Sequence, residues 1–381
     1  MKELRVGRIP SLTWNRLGVN EGKVTGSLSV NTEFSFGEME LPAGCTCQML
    51  TCAEAEEYLL LHAPAEEPEK VVAGKMPIWH PQPFATGLGP DVDRWFAGEE
   101  AKILLIETEE NLGTLPVFLV DLTFSQYNQI LIGQILHIRR GTKAEAVIRT
   151  SSEKRCEGML GISTKAIVDD GAELGLTKIQ TLGRGFTCVD DTGISVGNGG
   201  RLSLTQLCLG GGANYLGVQT ELTGDGAEYD AKLGYYAGPT SKTEISYNTV
   251  QRGKKTKARL TYDGVLCQDA RKSLRGTIDF RRGSEGSTGD EQENVLLLSD
   301  QLENKSLPVI LCEEEDVEGR HGASIGQLDD AVLFYLASRG IPEREAVRMM
   351  VRARLGAVAD RIPDPDLRTE VRTYIDGSAG V

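Results

Sequence analysis

The stretch Val168-Asp-Asp-Gly171-Ala-Glu-Leu174-Gly-Leu176-Thr177-Lys-Ile179 decides the fold, because Val196-Gly-Asn-Gly199-Gly-Arg-Leu202-Ser-Leu204-Thr205-Gln-Leu207 repeats it 28 residues later. Each copy has an apolar residue, then a glycine three positions on, then apolar side chains at alternating positions. Alternation of period two is the mark of a strand with one buried face. The glycine marks a corner, where a positive φ costs little. Outward from this pair, glycines recur at Gly141, Gly171, Gly199, Gly226, Gly253 and Gly283, with spacings of 30, 28, 27, 27 and 30. Apolar residues precede most of them: Ile138, Val168, Val196, Val250 and Phe280, with Thr223 the exception.

A chain that turns at each glycine and lays a strand on the coil before it cannot bury the apolar face of one coil alone. Stacked coils bury it jointly. The reading is a mainly β protein built on a right-handed parallel β-helix over 101–316, with a mixed N-terminal region over 1–100 and a helical region over 317–381. A β-sandwich of hairpins is the competing architecture, with Asn198-Gly-Gly200 as one of its turns.

The N-terminal region offers one clear helix start. Thr51 and Glu54 stand in capping-box spacing ahead of AEAEEYLLLH. Ala63–Lys70 reads as an exposed linker, and His80 lies in a turn-like WHPQP. In the tail, LDDAVLFYLASRG carries a helix closed by Gly340. A second helix follows Pro342, with Val347, Met350, Val351, Leu355, Val358 and Ile362 on one stripe. PDPDLRTEVRTYI makes a third. Between Arg339 and Arg372 stand eight arginines and six acidic residues. Such a tail either docks on an acidic partner or laces its own face with ion pairs.

A net charge of −14 repels nucleic acid phosphates, so no nucleic-acid partner is expected. No apolar run approaches the roughly 18 residues needed to span a bilayer, and the N-terminus has no apolar signal segment, which points to the cytoplasm. The eight cysteines are then expected as free thiols. Cys45, Cys47 and Cys52 are close in sequence, but their spacing fits no strong zinc pattern. Gly253-Lys-Lys-Thr256 is only a fragment of a phosphate-binding loop and reads as a coil corner.

The run Cys312–Gly340, CEEEDVEGRHGASIGQLDDAVLFYLASRG, resembles the C-terminal signature of the SufB/SufD family of SUF iron–sulfur cluster assembly proteins. SLRGTIDFRRGSEGS and NVLLLSDQLENKSLPVI resemble the preceding part of the same core. The likeness runs from about residue 135 to the end. Before residue 100 it is limited to Thr13-Trp-Asn15.

This resemblance, closer to SufD, implies a scaffold rather than an enzyme. Its parallel β-helix would pair end to end with a SufB-type subunit or with a second copy. Its C-terminal helices would engage a SufC-type ABC ATPase, which hydrolyses the ATP. It implies iron or an iron–sulfur cluster held transiently at an interface, and none held tightly by the isolated chain. Removing 341–381 is expected to abolish ATPase docking and leave the β core folded. A homodimeric scaffold without a sister subunit is the alternative within the family. A β-helix enzyme acting on carbohydrate is the alternative of another class; it would need carboxylates and aromatic platforms such as Tyr215, Tyr229, Tyr235, Tyr236 or Tyr247 along a cleft.

His321 aligns with the histidine that SufD proteins place at the SufB interface, and imidazole is a good iron ligand. Glu314 and Asp316 share one face if the acidic run 313–316 continues a strand. Glu293 occupies the place of a SufB cysteine, and Cys312 is a nearby thiol. The chain departs from its relatives at Gly322, where SufB has a carboxylate, at Gly319, where SufD often has a cysteine, and at Gln251, where many have histidine. Candidate metal ligands are therefore His321, Glu314, Asp316, Glu293 and Cys312, with His321 foremost.

Overall fold

The computed structural model describes residues 3–10, 18–25, 28, 41–63, 84–99, 101–125 and 127–378. Thr13-Trp-Asn15, most of the Ala63–Lys70 linker and His80 lie outside these residues.

A short antiparallel hairpin, β1 (Leu4–Val6) and β2 (Gly22–Val24), precedes β3 (Cys45–Leu50), α1 (Cys52–His62) and α2 (Pro90–Gly98). The capping box forms as read: the Thr51 hydroxyl accepts the Glu54 N–H and the Glu54 carboxylate accepts the Thr51 N–H. The solenoid then winds through β4 (Ile103–Thr108), β5 (Gly113–Thr114), β6 (Phe118–Phe124), β7 (Asn128–Ile138), β8 (Thr142–Ser152), β9 (Glu157–Val168), β10 (Glu173–Thr181) and β11 (Gly185–Val196). It continues through β12 (Arg201–Cys208), β13 (Ala213–Leu222), β14 (Glu228–Ala237), β15 (Lys242–Gln251), β16 (Lys257–Leu266), β17 (Arg271–Phe280), β18 (Ser287–Leu297), β19 (Glu303–Cys312) and β20 (Val317–Gln327).

Each coil contributes one strand to each of two sheets. The first runs β3-β4-β7-β9-β11-β13-β15-β17-β19, the second from β5 and β6 through β8-β10-β12-β14-β16-β18 to β20. All pairings in them are parallel except β3 with β4. The 28-residue repeat is the ladder itself: Val168 pairs with Val196, Leu174 with Leu202 and Leu176 with Leu204. The four leucines among these point into one continuous core and are at most 2% exposed. At about 1.5–3 kcal/mol for each fully buried apolar side chain, this stacking is what holds neighbouring coils together. Tyr215, Tyr229, Tyr235, Tyr236 and Tyr247 are all buried, so none lines an open cleft.

The corner series needs one correction. The ladder of corner amides runs from Gly171 to Asn198 O, Gly199 to Asp225 O, Gly226 to Lys254 O, Lys255 to Glu285 O and Gly286 to Asp316 O. The positions equivalent to Gly226 are thus Lys255 and Gly286, both at positive φ, rather than Gly253 and Gly283. Gly253 is selected by space instead: a Cβ there would lie 2.1 Å from Gly224 O.

The N-terminal elements lie on the outer face of the first sheet. Buried Arg275 donates to Val19 O (2.7 Å) and to the Glu244 carboxylate (2.8 Å), and Tyr215 Oη donates to Lys23 O (2.9 Å). On the outer face of the second sheet lie α4 (Glu343–Ala359) and α5 (Pro365–Ser378), preceded by α3 (Asp330–Ser338). Val351, Leu355, Val358 and Ile362 pack there with Val147, Ile179, Leu207 and Val265. Of the expected stripe, Met350 is instead exposed and Val347 only half-buried. The burial of α4 and α5 means that removing 341–381 would uncover the outer face of the second sheet. Gly340 closes α3 at φ +84°, with the Ile341 amide reaching back to Leu336 O. Most tail arginines are spent within the chain, in pairs such as Arg361–Asp230, Arg352–Asp376, Arg372–Asp360 and Arg348–Glu345. α3 itself has no buried residue, and Phe334 is 77% exposed.

Residues 317–327, expected at the head of the helical region, form β20, the last rung of the second sheet. Their alternating small and polar residues continue the ladder register, and the helices start only at Asp330. The acidic residues 313–316 form the corner between β19 and β20, not a strand, so alternate faces do not apply to Glu314 and Asp316.

Candidate functional site at the open end of the solenoid

The two final strands, β19 and β20, each pair on one side only and end their sheets. Ordinary solenoids must blunt such edges, since unpaired backbone groups invite a further strand. Here Pro308 sits within β19, a residue an edge strand tolerates because it has no N–H to donate. Ile310 and Ile325 are 39% and 42% exposed at the same end. A side chain in a parallel ladder faces the same way as its paired neighbour. Cys312, paired with buried Phe280, and His321, paired with buried Glu291, therefore face the interior of the coil at its open mouth.

His321 is exposed on β20. One coil inward, Glu291 is 3% exposed, and burial together with the Glu293 charge pushes its carboxyl up to about 7, against the opposing pull of Lys272. Its Oε1 lies close over Gly276, where a Cβ would meet it at 1.8 Å, and its Oε2 is buried without a hydrogen-bond partner. Glu293 is held in an ion pair with Lys272, itself fully buried. The Lys272 ammonium also donates to Asn304 Oδ1 (2.8 Å), Ser306 Oγ (2.9 Å) and Lys305 O (3.2 Å). Burial lowers the Lys272 pKa; the Glu293 carboxylate works against that.

The other ligand candidates are dispersed. Cys312 is exposed, with its thiol donating to Glu314 O (2.9 Å). The Glu314 carboxylate accepts from the Gly283 N–H (3.0 Å) and the Glu315 N–H (2.9 Å), which lowers its pKa. Asp316 contributes its backbone carbonyl to Gly286. Among the described residues no three His, Cys, Asp or Glu side chains are placed to hold a metal ion together. His321, Cys312, Glu293, Glu314 and Asp316 thus lie at the β19/β20 end without forming a closed ligand set among the described residues.

The positions at which the chain departs from the family it resembles, Gly319, Gly322 and Gln251, have close neighbours. A side chain at Gly319 would press on Phe280 (3.1 Å) and Ile310 (3.2 Å), and one at Gly322 would meet Gln292 Oε1 at 2.5 Å. Gln251 is fully buried and accepts from Thr256 Oγ1 (2.6 Å) at a coil corner.

Further inside, a polar file missed by the sequence reading occupies the core. Lys178 Nζ donates to Thr192 Oγ1 (2.8 Å) and Thr164 Oγ1 (3.1 Å) and pairs with Asp190. Gln206 Nε2 donates to Asp190 Oδ2 (2.9 Å), and the Tyr247 hydroxyl donates to Gln206 Oε1. The Tyr247 ring meets Tyr262 edge-on at 5.4 Å. The signal was present: Lys178 and Gln206 continue the inward parity of Leu174/Leu176 and Leu202/Leu204.

Comparison with known proteins agrees with this architecture. Residues 125–354 match the SufBD core domain of the SUF system of FeS cluster assembly. The chain is 26% identical to the iron–sulfur cluster assembly protein SufD of Bacillus subtilis over 237 residues, covering 62% of this chain and 54% of that protein. It is 26% identical to an iron–sulfur cluster assembly SufBD family protein of Mycobacterium tuberculosis over 249 residues, covering 63% of this chain and 62% of that protein. The matches therefore span little more than half the length of these relatives. With the matched core extending over more than half of its length and the solenoid in place, the chain belongs to the SufB/SufD family of iron–sulfur cluster assembly proteins.

Proposed function

We propose that this chain is a SufD-like scaffold subunit, cytoplasmic and without an enzymatic activity of its own. In this reading its open solenoid end pairs with a SufB-type subunit, and iron or a nascent cluster is held as cargo at the joint. The observation that carries the reading is the pair of unpaired edges β19 and β20, with His321 facing the coil interior at the mouth. His321 supplies one neutral imidazole, and Cys312 stands at the same end as a soft donor. Glu293 is already neutralised by Lys272, so it acts by fixing the floor of the mouth rather than as a free ligand. A cluster needs more thiolates than this end offers, which is why a neighbour has to complete the set.

The ATPase docks on the C-terminal helices. Support comes from α3, whose apolar residues Val332, Phe334 and Tyr335 are exposed, with Met349 exposed on α4 nearby in sequence. Apolar contact, more than charge, would drive this docking, because the tail arginines are mostly paired within the chain. No helix among the described residues is long and apolar enough to cross a membrane.

The test is size-exclusion chromatography with light scattering of the chain alone, with a SufB-type subunit and with both that subunit and a SufC-type ATPase. A 1:1 complex with the SufB-type subunit supports the reading. A stable homodimer that excludes the sister subunit would replace it with the self-paired scaffold.

A further inference from the structure

The opposite end of the solenoid carries a different set of sulfur atoms. There β3 closes the first sheet, pairing antiparallel with β4. Directly opposed residues of an antiparallel pair share a face. Cys45, Cys47 and Met49 oppose Thr108, Ile106 and Leu104, and Ile106 and Leu104 belong to the interior core. Leu50 and Ile103, of opposite parity, pack together outside with α1. Three sulfur-bearing side chains therefore stand in a row on the inner face of the terminal strand. Cys45 is partly buried against the core, Cys47 is exposed, and Met49 is 46% exposed.

Cys52, close to the pair in sequence, does not join them. It is the first residue of α1 and donates its thiol to Ala101 O at 3.0 Å. The donor set for one ion is thus the two thiols Cys45 and Cys47, with no imidazole; Met49 lies a further two residues along the strand. Alternate strand residues lie about 6.7 Å apart. Two metal–sulfur bonds of about 2.3 Å each, with rotation about χ1, close that gap around one ion.

We propose that Cys45 and Cys47 together bind a soft monovalent d10 cation, Cu(I), as a two-coordinate bis-thiolate. Thiolate and thioether donors select such an ion, whereas zinc favours four strong ligands. On binding, each thiol loses its proton to solvent and forms one copper–sulfur bond. Copper enters and stays as Cu(I), so no oxidant or reductant takes part. This site is independent of the His321 end and stands or falls without it.

The experiment is anaerobic titration of the full-length reduced chain with Cu(I) against a competing chromophoric chelator, with native mass spectrometry for stoichiometry. The expected result is one tightly held Cu(I) per chain, with thiolate-to-copper absorption in the ultraviolet, lost in the Cys45→Ser/Cys47→Ser variant. Cys47→Ser alone, at an exposed position, loses the same ion and keeps the melting temperature, whereas Met49→Leu leaves binding unchanged. Unchanged stoichiometry in Cys47→Ser would assign copper to other thiols such as Cys312 and overturn the proposal. Preferential retention of Zn(II) over Cu(I) would also overturn it.

Discussion

Glu291 lies directly one coil inward of His321 in the parallel ladder, the first buried with its carboxyl pushed up to about 7, the second exposed on the last strand. Between them the environment passes from a closed core to an open mouth within one rung. The proposed partner chain would stack on that rung.

His321→Ala is expected to leave the isolated chain folded, because an exposed substitution away from caps and cores stays within about 0.5 kcal/mol. In the reconstituted complex it should abolish the iron–sulfur absorption that the intact complex develops. A cluster of unaltered yield in the variant complex would remove His321 from the site. A large drop in melting temperature would mean the side chain has a packing role.

Stability should fall as pH rises from about 4.5 to 7. Glu291 is raised from 4.5 to about 7 and Asp279 from 3.8 to about 6, in both cases mainly by burial. Raised carboxyl pKa values mean the folded state binds more protons than the unfolded state in that window, so each unit of pH costs stability until the folded pKa is passed. For Glu291 the accumulated cost is on the order of 3 kcal/mol at pH 8. Glu291→Gln should therefore flatten the pH profile of urea midpoints and gain most above pH 7; an unchanged slope would refute the assignment.

In the core, Lys178→Met or Asp190→Leu alone should cost about 3–5 kcal/mol, since each leaves an unpaired buried charge. The double variant should recover much of that loss. Chemical denaturation of the three variants measures it, and equal, additive costs would show that the pair is not coupled.

Corner geometry gives a sharper contrast. Lys255 holds φ +54° where the neighbouring coils use glycine, so Lys255→Gly should stabilise by about 1 kcal/mol. Gly224→Ala should destabilise strongly, because its Cβ would lie 2.0 Å from the Asn198 nitrogen. Thermal melts of the two variants shifting in the same direction would contradict the ladder drawn here.

On the C-terminal helices, Phe334→Ser and Tyr335→Ser should reduce affinity for a SufC-type ATPase while leaving the melting temperature unchanged. Deleting 341–381 is a poorer test, since it also strips Val351, Leu355 and Val358 from the second sheet. ATPase binding unaffected by both substitutions would move the docking surface elsewhere.

How far the sequence could be read follows from what repeats. Leu174/Leu202 and Leu176/Leu204 carry the ladder openly, since parallel stacking puts like on like. The corner at Lys255 was misplaced because a glycine two residues earlier, chosen for close backbone approach, imitates the positive-φ glycine. The boundary at 317 was missed because β20 has weak apolar alternation: its inner row is Val317, Gly319, His321, Ala323 and Ile325, of which only Val317 packs on the core and the last four are exposed. His321 was legible through its motif, whereas the Lys272–Glu293 pair beneath it was not. Those two residues are 21 apart and meet only because the consecutive strands β17 and β18, one from each sheet, face each other across the core.

The most direct test of the central claim is amide hydrogen exchange over 303–312 and 317–327, in the chain alone and after addition of a SufB-type subunit. Completion of the solenoid end by that neighbour predicts slow exchange appearing in both segments, with 173–237 unchanged. Fast exchange persisting in both segments while the two proteins co-elute would contradict it.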